Sequence, residues 1–565
     1  MAESGTIHNS IVSLGGKPKI AYFSMEIGID ENIPSYSGGL GILSGDTIKS
    51  CADLNVPVVG ITLLSENGYF YQKLDEFGNQ IELPTKFSIS NFLQELPSNT
   101  TVEIEGRDVK VRPWLYKYCG VCGYIVPVFF LDTNVAGNTD KDRQLTKYLY
   151  GGDEKYRLAQ EIILGIGGVR ILRDLGYTTI DKYHMNEGHA ALGTLELYDQ
   201  SNDVEKVRQQ CVFTTHTPVA AGHDQFDLNM AKSMIGKILP EFILDDICFE
   251  NRLNMTRLAL FFSHYINGVA KKHGEVSRMM FPGYSIDSIT NGVHSATWVC
   301  EPFQRLFDKH IPGWRSDPYS LRAASGMDKT EIWNAHMEAK RELINFINKQ
   351  CNASMNYNDF TIGFARRQTA YKRPDLLISD PNRLMDIADK VGPIQIIYSG
   401  KAHPNDGGGK ESIRNIFDAM KKIKGNIKMA YIQNYEMSIA KMMVSGVDLW
   451  LNTPRRPMEA SGTSGMKAAH NGVPQFSTLD GWWIEGWIEN ITGWSIGSRK
   501  SNERESDDDA DRRDLYNKLE SWIMPKFYKD RDNWIRTMRS CIAINASFFN
   551  TNRMIQQYVL NAYFI

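Results

Sequence analysis

The second half of the chain alternates short apolar runs with amphipathic stretches, and this pattern restricts the possible folds more than any other feature. The apolar runs are Phe360–Ala365, Ile394–Tyr398, Ile427–Ile432 and Asp448–Leu451. The stretches with helical periodicity that follow them are Pro374–Val391, Lys410–Ile423, Met437–Val444 and Thr463–Asn471. Such alternation predicts parallel βαβ units and a doubly wound α/β sheet. Ligands of these sheets bind beyond the carboxyl ends of the strands, so polar motifs at those positions become candidate site residues.

The first half is also α/β but less regular. Predicted strands are Lys19–Phe23, Val56–Leu63, Thr179–His184 and Gln210–Thr214, and predicted long helices are Leu158–Leu175 and Thr256–Lys272. The boundary between the halves falls near Asn291–Thr297, after the strand-like Ser285–Thr290. We therefore expect an N-terminal α/β lobe (1–294), a second Rossmann-like lobe (295–540), and a C-terminal helix (541–565) that packs back on the first. Two lobes without a flexible tether predict a cleft between them.

Composition excludes several classes of protein. The chain has 565 residues, 42% of them apolar and 23% charged, as in an ordinary globular protein. Its 63 basic and 66 acidic residues give a net charge of −3, which argues against a general nucleic-acid-binding surface. No run approaches the ~18 apolar residues of a membrane span. Eight cysteines are too sparse for a disulfide scaffold, so we expect a cytoplasmic protein.

The segment EASGTSGMK, from Glu459 to Lys467, follows a predicted strand and opens a helix. Small residues let backbone N–H groups approach an anion closely, and a helix start adds positive potential. Lys467 places a primary amine beside this cradle, which suits an aldehyde cofactor with a phosphate group, such as pyridoxal phosphate (PLP). A plain glycine-rich turn with an ordinary lysine is the alternative.

A second cluster, Arg366, Arg367, Lys372 and Arg373, also follows a predicted strand. Four cations within eight residues repel each other unless anions lie among them, so the cluster indicates phosphate binding. The alternative is a solvated basic turn.

A glycine-rich loop, SGGLG at 37–41, offers backbone N–H groups but lacks the Lys-Ser/Thr pair of a nucleotide-binding P-loop. Three further polar groups follow predicted strands: His184 to His189, Thr214 to Pro218, and Thr290 to His294. The five-residue spacing of His184 and His189 does not fit a helical zinc site, and we expect no metal. At strand ends these neutral donors and acceptors could line one cleft and suit the hydroxyl groups of a sugar.

Two remaining features have structural interpretations. Cys119 and Cys122 lie between two strand-like runs, Val111–Lys117 and Tyr124–Leu131, and predict a hairpin turn, with metal or redox chemistry as the alternative. The acidic stretch Glu503–Asp514 predicts a solvated loop or an exposed helix start.

Taken together, these motifs resemble the glycogen and α-glucan phosphorylases. The resemblance rests on EASGTSGMK (459–467), SGGLG (37–41), MNEGHAAL (185–192), TTHTP (214–218), TNGVH (290–294), RRQTAYKR (366–373) and GKAHP (400–404). They occur in the family's order over about residues 18–490 and look most like its compact prokaryote-type branch. The resemblance implies a GT-B fold, PLP as cofactor, and an α-glucan or maltodextrin with inorganic phosphate as substrates.

The resemblance also implies residue roles, position by position. Lys467 would form a Schiff base with PLP. The cofactor phosphate would be held by Thr463, Gly462, Arg366 and the Gly39 amide, and Tyr435 would lie near the cofactor ring. Arg367, Lys372 and Gly39 would bind the substrate phosphate. Glu459, Ser461, His216 and Asn291 would hydrogen-bond the glucosyl unit, and Asn186, Glu187 and His189 would line the cleft.

The implied reaction is a retaining phosphorolysis in which the PLP phosphate acts as a proton relay to the substrate phosphate. No pair of carboxylates in the sequence stands out as a glycosidase acid/base couple. Two departures from the family pattern, Glu436 and Ile27-Gly28, bear on the packing around the cofactor ring.

Other interpretations remain at this stage. A nucleotide-sugar transferase of the glycogen-synthase type shares the two-lobe fold, but it would need a lysine where Ser37 stands. A fold-type-I PLP aminotransferase leaves the second phosphate site unexplained, and an inactive glucan-binding homologue leaves the cations without a role. The sequence does not decide the preferred glucan or whether the chain forms a homodimer.

We also expect that the phosphorylation and nucleotide switches of large animal phosphorylases are absent. The strand-like Lys19–Phe23 begins after only 18 residues, and no basic cluster surrounds Ser10 or Ser13 in this leader.

Overall fold

The structure is a computed structural model that describes residues 18–85, 87–219, 222–497 and 506–564. The leader with Ser10 and Ser13, and residues 503–505 of the acidic stretch, lie outside the described residues. The predictions made for those segments therefore stay predictions.

The protein is a mixed α/β structure built around two sheets that contain parallel strands. Strands of the first half are β1 (Ile20–Phe23), β2 (Val58–Leu63), β3 (Tyr71–Leu74), β4 (Gln80–Leu83), β5 (Gln94–Glu95), β6 (Thr100–Ile104), β7 (Arg107–Cys119), β8 (Ile125–Asp132), β9 (Lys182–Asn186), β10 (Cys211–Thr214), β11 (Gln225–Asp227), β12 (Cys248–Phe249), β13 (Arg252–Asn254), β14 (Tyr265–Gly268) and β15 (Asp287–Ser288). Those of the second half are β16 (Phe360–Ala365), β17 (Ile394–Ser399), β18 (Ile427–Ile432), β19 (Leu449–Asn452), β20 (Gln475–Thr478) and β21 (Gly493–Ile496).

The first sheet has the strand order β15-β14-β10-β9-β1-β2-β8-β7-β5, with β6 also paired to β7. Strands β15 to β8 run parallel along this order, and the remaining strands join through antiparallel pairs. The second sheet has the order β18-β17-β16-β19-β20-β21 and is parallel throughout. Its central strands are buried along their whole length, which explains why they occur in the sequence as continuous apolar runs.

Helices connect the strands and cover the sheets. They are α1 (Gly39–Asp53), α2 (Glu154–Ile162), α3 (Gly168–Asp174), α4 (Gly193–Ser201), α5 (Val204–Gln210), α6 (Leu228–Ile235), α7 (Leu244–Ile247), α8 (Met255–Phe261), α9 (Lys271–Met280), α10 (Ser295–Trp298), α11 (Glu301–His310), α12 (Lys329–Cys351), α13 (Pro381–Val391), α14 (Gly407–Lys422), α15 (Met437–Gly446), α16 (Ser464–His470), α17 (Trp483–Gly486), α18 (Asp508–Lys518), α19 (Met524–Lys529), α20 (Arg531–Ser540) and α21 (Thr551–Tyr558). A further short single-turn segment, Leu376–Ile378, precedes α13.

One predicted helix is wrong. Thr256–Lys272 is not a single helix, because α8 ends at Phe261 and β14 follows at Tyr265–Gly268 before α9 begins. Strand β14 is short and pairs in parallel with β10, so its side chains do not show the alternation that identifies a half-buried strand. The predicted helix Leu158–Leu175 is present as α2 and α3, joined by the helical turn Ile163–Gly167.

The chain returns to the first sheet near its C-terminus. Met554, Ile555 and Tyr558 of α21 belong to the same buried apolar cluster as Ile20 and Tyr22 of β1. The hydroxyl of Tyr558 accepts a hydrogen bond of 3.0 Å from Asn267 Nδ2 at the end of β14. One face of the first sheet is thus completed by residues more than 500 positions away from β1.

A hairpin of β3 and β4 connects the first half to the second sheet through polar contacts. Gln72 donates from its backbone to Asn434 Oδ1 (3.1 Å) and accepts from the Asn434 backbone (2.8 Å). Gln72 Nε2 also donates to the Gly400 carbonyl at 2.9 Å. These bonds fix the hairpin against the loops that follow β17 and β18.

The predicted turn between Cys119 and Cys122 is confirmed. Antiparallel β7 and β8 pair Cys119 with Ile125, and the Gly120 backbone N–H donates to the Tyr124 carbonyl at 2.9 Å. Within the described ranges, no helix combines the length and the apolar character needed to cross a membrane.

Two glycines allow α1 to pack closely on the loop after β1. The Gly28 N–H donates to the Gly41 carbonyl at 2.7 Å. A Cβ on Gly45 would lie 2.1 Å from the Gly28 carbonyl oxygen, which leaves no room for a side chain there. This close contact sets the position of the glycine-rich helix start.

We therefore expect Gly45→Ala to destabilise the protein by about 1–3 kcal/mol, because the added methyl group overpacks the contact. Gly407→Ala is the matched control, since a Cβ at the start of α14 would meet no atom within 4 Å. Thermal unfolding should show a lower melting temperature for Gly45→Ala alone. An equal melting temperature for the two variants would contradict the packing argument.

Candidate active site

A cavity of about 1000 Å³ lies where the carboxyl ends of both sheets meet. Glu187 and His216 line it from the ends of β9 and β10, and Arg366, Lys401 and Glu459 line it from the loops after β16, β17 and β19. This is the position at which parallel α/β sheets bind ligands. It is lined by all but one of the residues to which the resemblance gave a role.

The predicted site residues that line the cavity are Gly39, Glu187, His189, His216, Asn291, Arg366, Arg367, Lys372, Tyr435, Glu459, Ser461, Gly462, Thr463 and Lys467. Asn186, which was expected to line the cleft, lies behind it instead. Its Oδ1 accepts a hydrogen bond from His216 Nε2 at 2.6 Å, and its Nδ2 donates to Ser24 Oγ at 3.1 Å. Asn186 therefore orients His216, because β-strand alternation turns its side chain away from the cavity.

Lys467 lies on the first turns of α16 with its amine in the cavity. Its Nζ is 3.7 Å from the centre of the Trp298 ring, a cation–π distance. Burial lowers the pKa of Lys467 to about 8, Asp46 partly opposes this shift, and Lys49 adds to it. A substantial fraction of the amine is therefore unprotonated near pH 8, as attack on a carbonyl carbon requires.

Trp298 and Asp46 support this amine, and the sequence analysis assigned neither a role. Trp298 Nε1 donates to Asp46 Oδ2 at 2.8 Å, and the same oxygen accepts from the His294 backbone at 3.1 Å. Asp46 Oδ1 is buried without a hydrogen-bond partner among the described residues. Trp298 follows the TNGVH motif by four positions, so an extended motif search could have found it.

Arg366 and Lys372 bring positive charge into the cavity wall. Arg366 forms an ion pair with Glu459 and donates from Nη1 to Asn452 Oδ1 at 3.0 Å. Burial, with a further contribution from Arg366, lowers the pKa of Lys372 to about 7. Burial raises the pKa of Glu459, but Arg366 and Lys372 outweigh this effect and lower it overall. Glu459 thus remains a carboxylate and offsets only part of the positive charge.

The glycine-rich loop turns an open backbone surface toward the cavity. A Cβ on Gly38 or Gly39 would meet no atom within 4 Å, so a ligand can approach this backbone closely. Glu26 fixes the loop from behind, since it accepts hydrogen bonds from the backbones of Ser37 and Gly38 and, at 3.0 Å, from the Tyr150 hydroxyl. The N-terminal amides of α1 therefore form a preorganised surface for an anion.

The structure accounts for the two departures from the family pattern. Gly28 permits the close contact with α1 described above. Glu436 lines the cavity, and its charge raises the pKa of Lys401, although burial dominates and lowers that pKa to about 8. Lys401 itself donates to the Phe70 carbonyl at 2.8 Å. An acidic residue at 436 thus compensates a second buried lysine.

Neutral polar side chains form another part of the cavity wall. Burial lowers the pKa of His216 to about 3, so its imidazole is uncharged at neutral pH. Ser461 Oγ and Asn291 Oδ1 are buried and have no hydrogen-bond partner within the part of the chain that the structure describes. Neutral donors and acceptors of this kind match the hydroxyl groups of a sugar.

Glu187 adds a carboxyl group with a high pKa to the same wall. Burial raises its pKa to about 7, although it accepts hydrogen bonds from the His216 backbone at 2.7 Å and from Thr217 Oγ1 at 2.9 Å. It fixes the backbone of the loop that carries His216.

Comparisons with known proteins identify the family to which the chain belongs. Residues 223–493 match the carbohydrate phosphorylase family. The chain is 38% identical to maltodextrin phosphorylase of Thermococcus litoralis, over 96% of this chain and 70% of that protein. It is 35% identical to glycogen phosphorylase of Mycobacterium tuberculosis (96% and 70% covered) and 32% identical to glycogen phosphorylase of Aquifex aeolicus (97% and 86% covered). The chain belongs to the carbohydrate phosphorylase family.

The cavity fits the cofactor that this family implies. PLP requires an amine, a cradle for its phosphate and a surface for its ring. Lys467 supplies a buried amine of lowered pKa, and the open backbone at Gly39 supplies a cradle beside Arg366. Arg366 Nε, moreover, is buried without a hydrogen-bond partner among the described residues.

The pKa of Lys467 gives a prediction that does not depend on catalysis. Asp46→Asn removes a negative charge that favours the ammonium form, so the pKa of Lys467 should fall below about 8. In protein prepared without carbonyl compounds, the rate of reductive labelling of Lys467 by pyridoxal should then reach half its maximum at a lower pH. Peptide mass spectrometry measures this rate, with Asp75→Asn on the β3–β4 hairpin as control. An unchanged or higher midpoint would refute the role of Asp46.

Proposed function

We propose that the protein is an α-glucan phosphorylase with PLP as cofactor. It would transfer a glucosyl unit from an α-1,4-glucan to inorganic phosphate and release α-D-glucose 1-phosphate with retention of configuration. The observation that carries the proposal is the meeting of Lys467, Arg366, Arg367 and Lys372 in one cavity that neutral polar side chains also line. Its relatives are named as phosphorylases of maltodextrin and glycogen, and either glucan is a candidate substrate.

The cofactor would be held by residues from both halves of the chain. Lys467 would bind its carbonyl carbon, and Tyr435 would pack beside its ring. Arg366, Gly462, Thr463 and the Gly39 amide would bind its phosphate. When bound, PLP supplies a phosphate group that exchanges a proton with the substrate phosphate.

Arg367 and Lys372 would bind the substrate phosphate, together with the Gly39 amide. Lys372 loses its proton near pH 7 in the free cavity, and a bound dianion would raise its pKa and restore the ammonium charge. Arg367 supplies a permanent charge with a planar fork of donors. Together they would stabilise the phosphate as its charge changes during transfer.

The glucosyl unit would lie against Glu459, Ser461, His216 and Asn291, with Glu187 and His189 farther along the cleft. Substrate phosphate would donate its proton to the glycosidic oxygen, so that the C1–O bond breaks and the shortened glucan leaves. A phosphate oxygen would then bond to C1 from the same face, which retains the configuration. Glu459 remains anionic and could favour the positive charge that develops on the sugar ring.

We also propose that the two sheets belong to two lobes of a GT-B arrangement, with residues 1–294 in one and 295–540 in the other. Separate apolar clusters around each sheet support this division. The packing of Met554 and Tyr558 on β1 supports placing α21 with the first lobe. The start of the expected segment 541–565 differs, because Ile542 and Ala546 belong to the buried cluster around the second sheet.

The site argues against a nucleotide-sugar transferase, because Ser37 stands where that class requires a lysine and pairs with Glu26 instead. An inactive glucan-binding homologue would bind glucans without releasing glucose 1-phosphate. The assay described below separates it from an enzyme.

Covalent attachment of PLP at Lys467 is the first expected outcome. Borohydride reduction of the protein purified with PLP should place a pyridoxyl group on the peptide 459–471, because Lys467 is the cavity lysine next to the phosphate cradle. Peptide mapping by mass spectrometry measures this, and Lys401 is the internal control because it lines the same cavity. Label on Lys401, or no label at all, would contradict the assignment.

Phosphate-dependent release of glucose 1-phosphate from maltodextrin or glycogen is the decisive test. Arg367→Ala and Lys372→Ala should each lose about 2–4 kcal/mol of transition-state stabilisation, since each removes a charge-assisted contact. The loss should appear as a lower kcat/KM for phosphate while the PLP content is unchanged. Release of sugar phosphate at the wild-type rate by both variants would refute their role, and no release by the wild type would refute the function.

A further inference from the structure

The acidic stretch 503–514 opens a helix, as one of its two interpretations predicted, and Asp507 and Asp509 are exposed, but one of its carboxylates is buried. Helix α18 begins at Asp508 and is capped by Asp507, whose side chain accepts from the backbones of Asp509 and Ala510. Asp511 on its first turns is only 1% exposed. A buried carboxylate requires partners, and here they come from the segment that carries Lys372 and from the segment that leads to Glu459.

Two carboxylates of α18 bind three arginines. Asp511 accepts from Arg373 Nη2 at 2.8 Å and from Arg456 Nη2 at 3.0 Å. Asp508 accepts from Arg373 Nη1 at 2.7 Å and from Arg455. Arg373 is the fourth cation of the RRQTAYKR motif, yet it does not line the cavity and is 4% exposed. Its charge therefore pairs with Asp508 and Asp511 and does not face the cavity.

Arg373 also fixes the backbone on which Lys372 is carried. Arg373 Nε donates to the Thr453 carbonyl at 2.8 Å, and Nη2 donates to the Pro454 carbonyl at 3.2 Å. Thr453 Oγ1 in turn lies within hydrogen-bond distance of the carbonyls of Lys372 (2.9 Å) and Arg373 (2.8 Å). The loop that carries Lys372 is thereby joined to the loop that leads to Glu459.

The conformation of Arg373 makes this support necessary. Its φ of +43° is in the left-handed region, which a residue with a Cβ adopts at a cost. The hydrogen bonds of the guanidinium group hold that conformation. Because Lys372 directly precedes it, a change at Arg373 would move the Lys372 side chain in the cavity.

We propose that Arg373, held by Asp508 and Asp511, is a positioning residue for Lys372 and not a ligand of phosphate. The proposal rests on the proposed function only in taking phosphate as the anion that Lys372 binds. A direct ligand and a positioning residue respond differently to substitution. An arginine that bound the anion directly would bind it more tightly once a carboxylate partner was removed, whereas loss of that partner from a positioning residue would weaken anion binding at Lys372.

The test uses the holoenzyme with sulfate as a probe, because sulfate is a dianion that does not titrate near neutral pH. The first variant is Arg373→Lys, which keeps the positive charge but loses the several donors of the guanidinium group. The second is Asp511→Asn, which removes the charge of its buried partner. Arg512→Lys and Asp509→Asn are the matched controls, since Arg512 and Asp509 form an exposed pair on the same helix. Calorimetry in buffers of different ionisation enthalpy gives both the sulfate affinity and the protons taken up.

The expected result is sulfate binding that is about tenfold weaker in Arg373→Lys and in Asp511→Asn, with both controls within twofold of the wild type. Proton uptake on sulfate binding at pH 8, to which protonation of Lys372 contributes, should also fall in these two variants. In phosphorolysis, the KM for phosphate should rise about tenfold while the KM for glucan stays within twofold. A purely structural role would instead affect both KM values and the PLP content.

Tighter sulfate binding in Asp511→Asn, or wild-type affinity in Arg373→Lys, would overturn the proposal. If either variant fails to fold, Asp508→Asn is measured in its place. The Asp508 side chain is 46% exposed, and removing its charge leaves the ion pair of Arg373 with Asp511 intact. The two proposals can fail separately. If the variants show the expected differences in sulfate affinity but the wild type releases no sugar phosphate, the proposed function is refuted and the role of Arg373 is not.

Discussion

Positively charged side chains lose hydration free energy when they are buried, and this loss explains how the cavity is built. Arg366, Lys372, Lys401 and Lys467 all line one cavity, and each lies near a carboxylate that offsets part of its charge. Glu459 pairs with Arg366, Glu436 lies near Lys401, and Asp46 supports Lys467 through Trp298. The compensation is incomplete, and the positive charge that remains is what a phosphate can bind.

This arrangement depends on parallel strands. Because the carboxyl ends of neighbouring parallel strands lie at one edge, residues far apart in the chain reach the same cavity. Arg366, Lys401 and Glu459 follow three different strands of the second sheet, and the glycine-rich loop approaches from the first. The apolar cluster that includes Ile42, Trp298 and Met466 connects these two sources beneath the cavity.

The sequence predicted four of the six strands of the second sheet, and Ile427–Ile432 has the predicted bounds, but Gln475–Thr478 and Gly493–Ile496 were missed. Buried parallel strands are continuous apolar runs between helices, and this pattern is local. The failures arose where distant contacts decide. The strand Tyr265–Gly268 depends on pairing with β10, and the Asn186 side chain is held behind the cavity by His216 and Ser24, which are 30 and 162 residues away. Arg373 and Asp511 are 138 residues apart, so no local pattern shows that each neutralises the other.

The packing of α21 on β1 has a consequence for synthesis of the chain. A ribosome makes the first sheet, then roughly 260 further residues, and only then the helix that covers one face of that sheet. At typical elongation rates this interval is on the order of tens of seconds. During this time the apolar side chains of Ile20 and Tyr22 lack Met554, Ile555 and Tyr558, which belong to the same buried cluster in the finished protein. The nascent chain therefore keeps part of this apolar face uncovered until α21 emerges, and exposed apolar surface of this kind promotes aggregation.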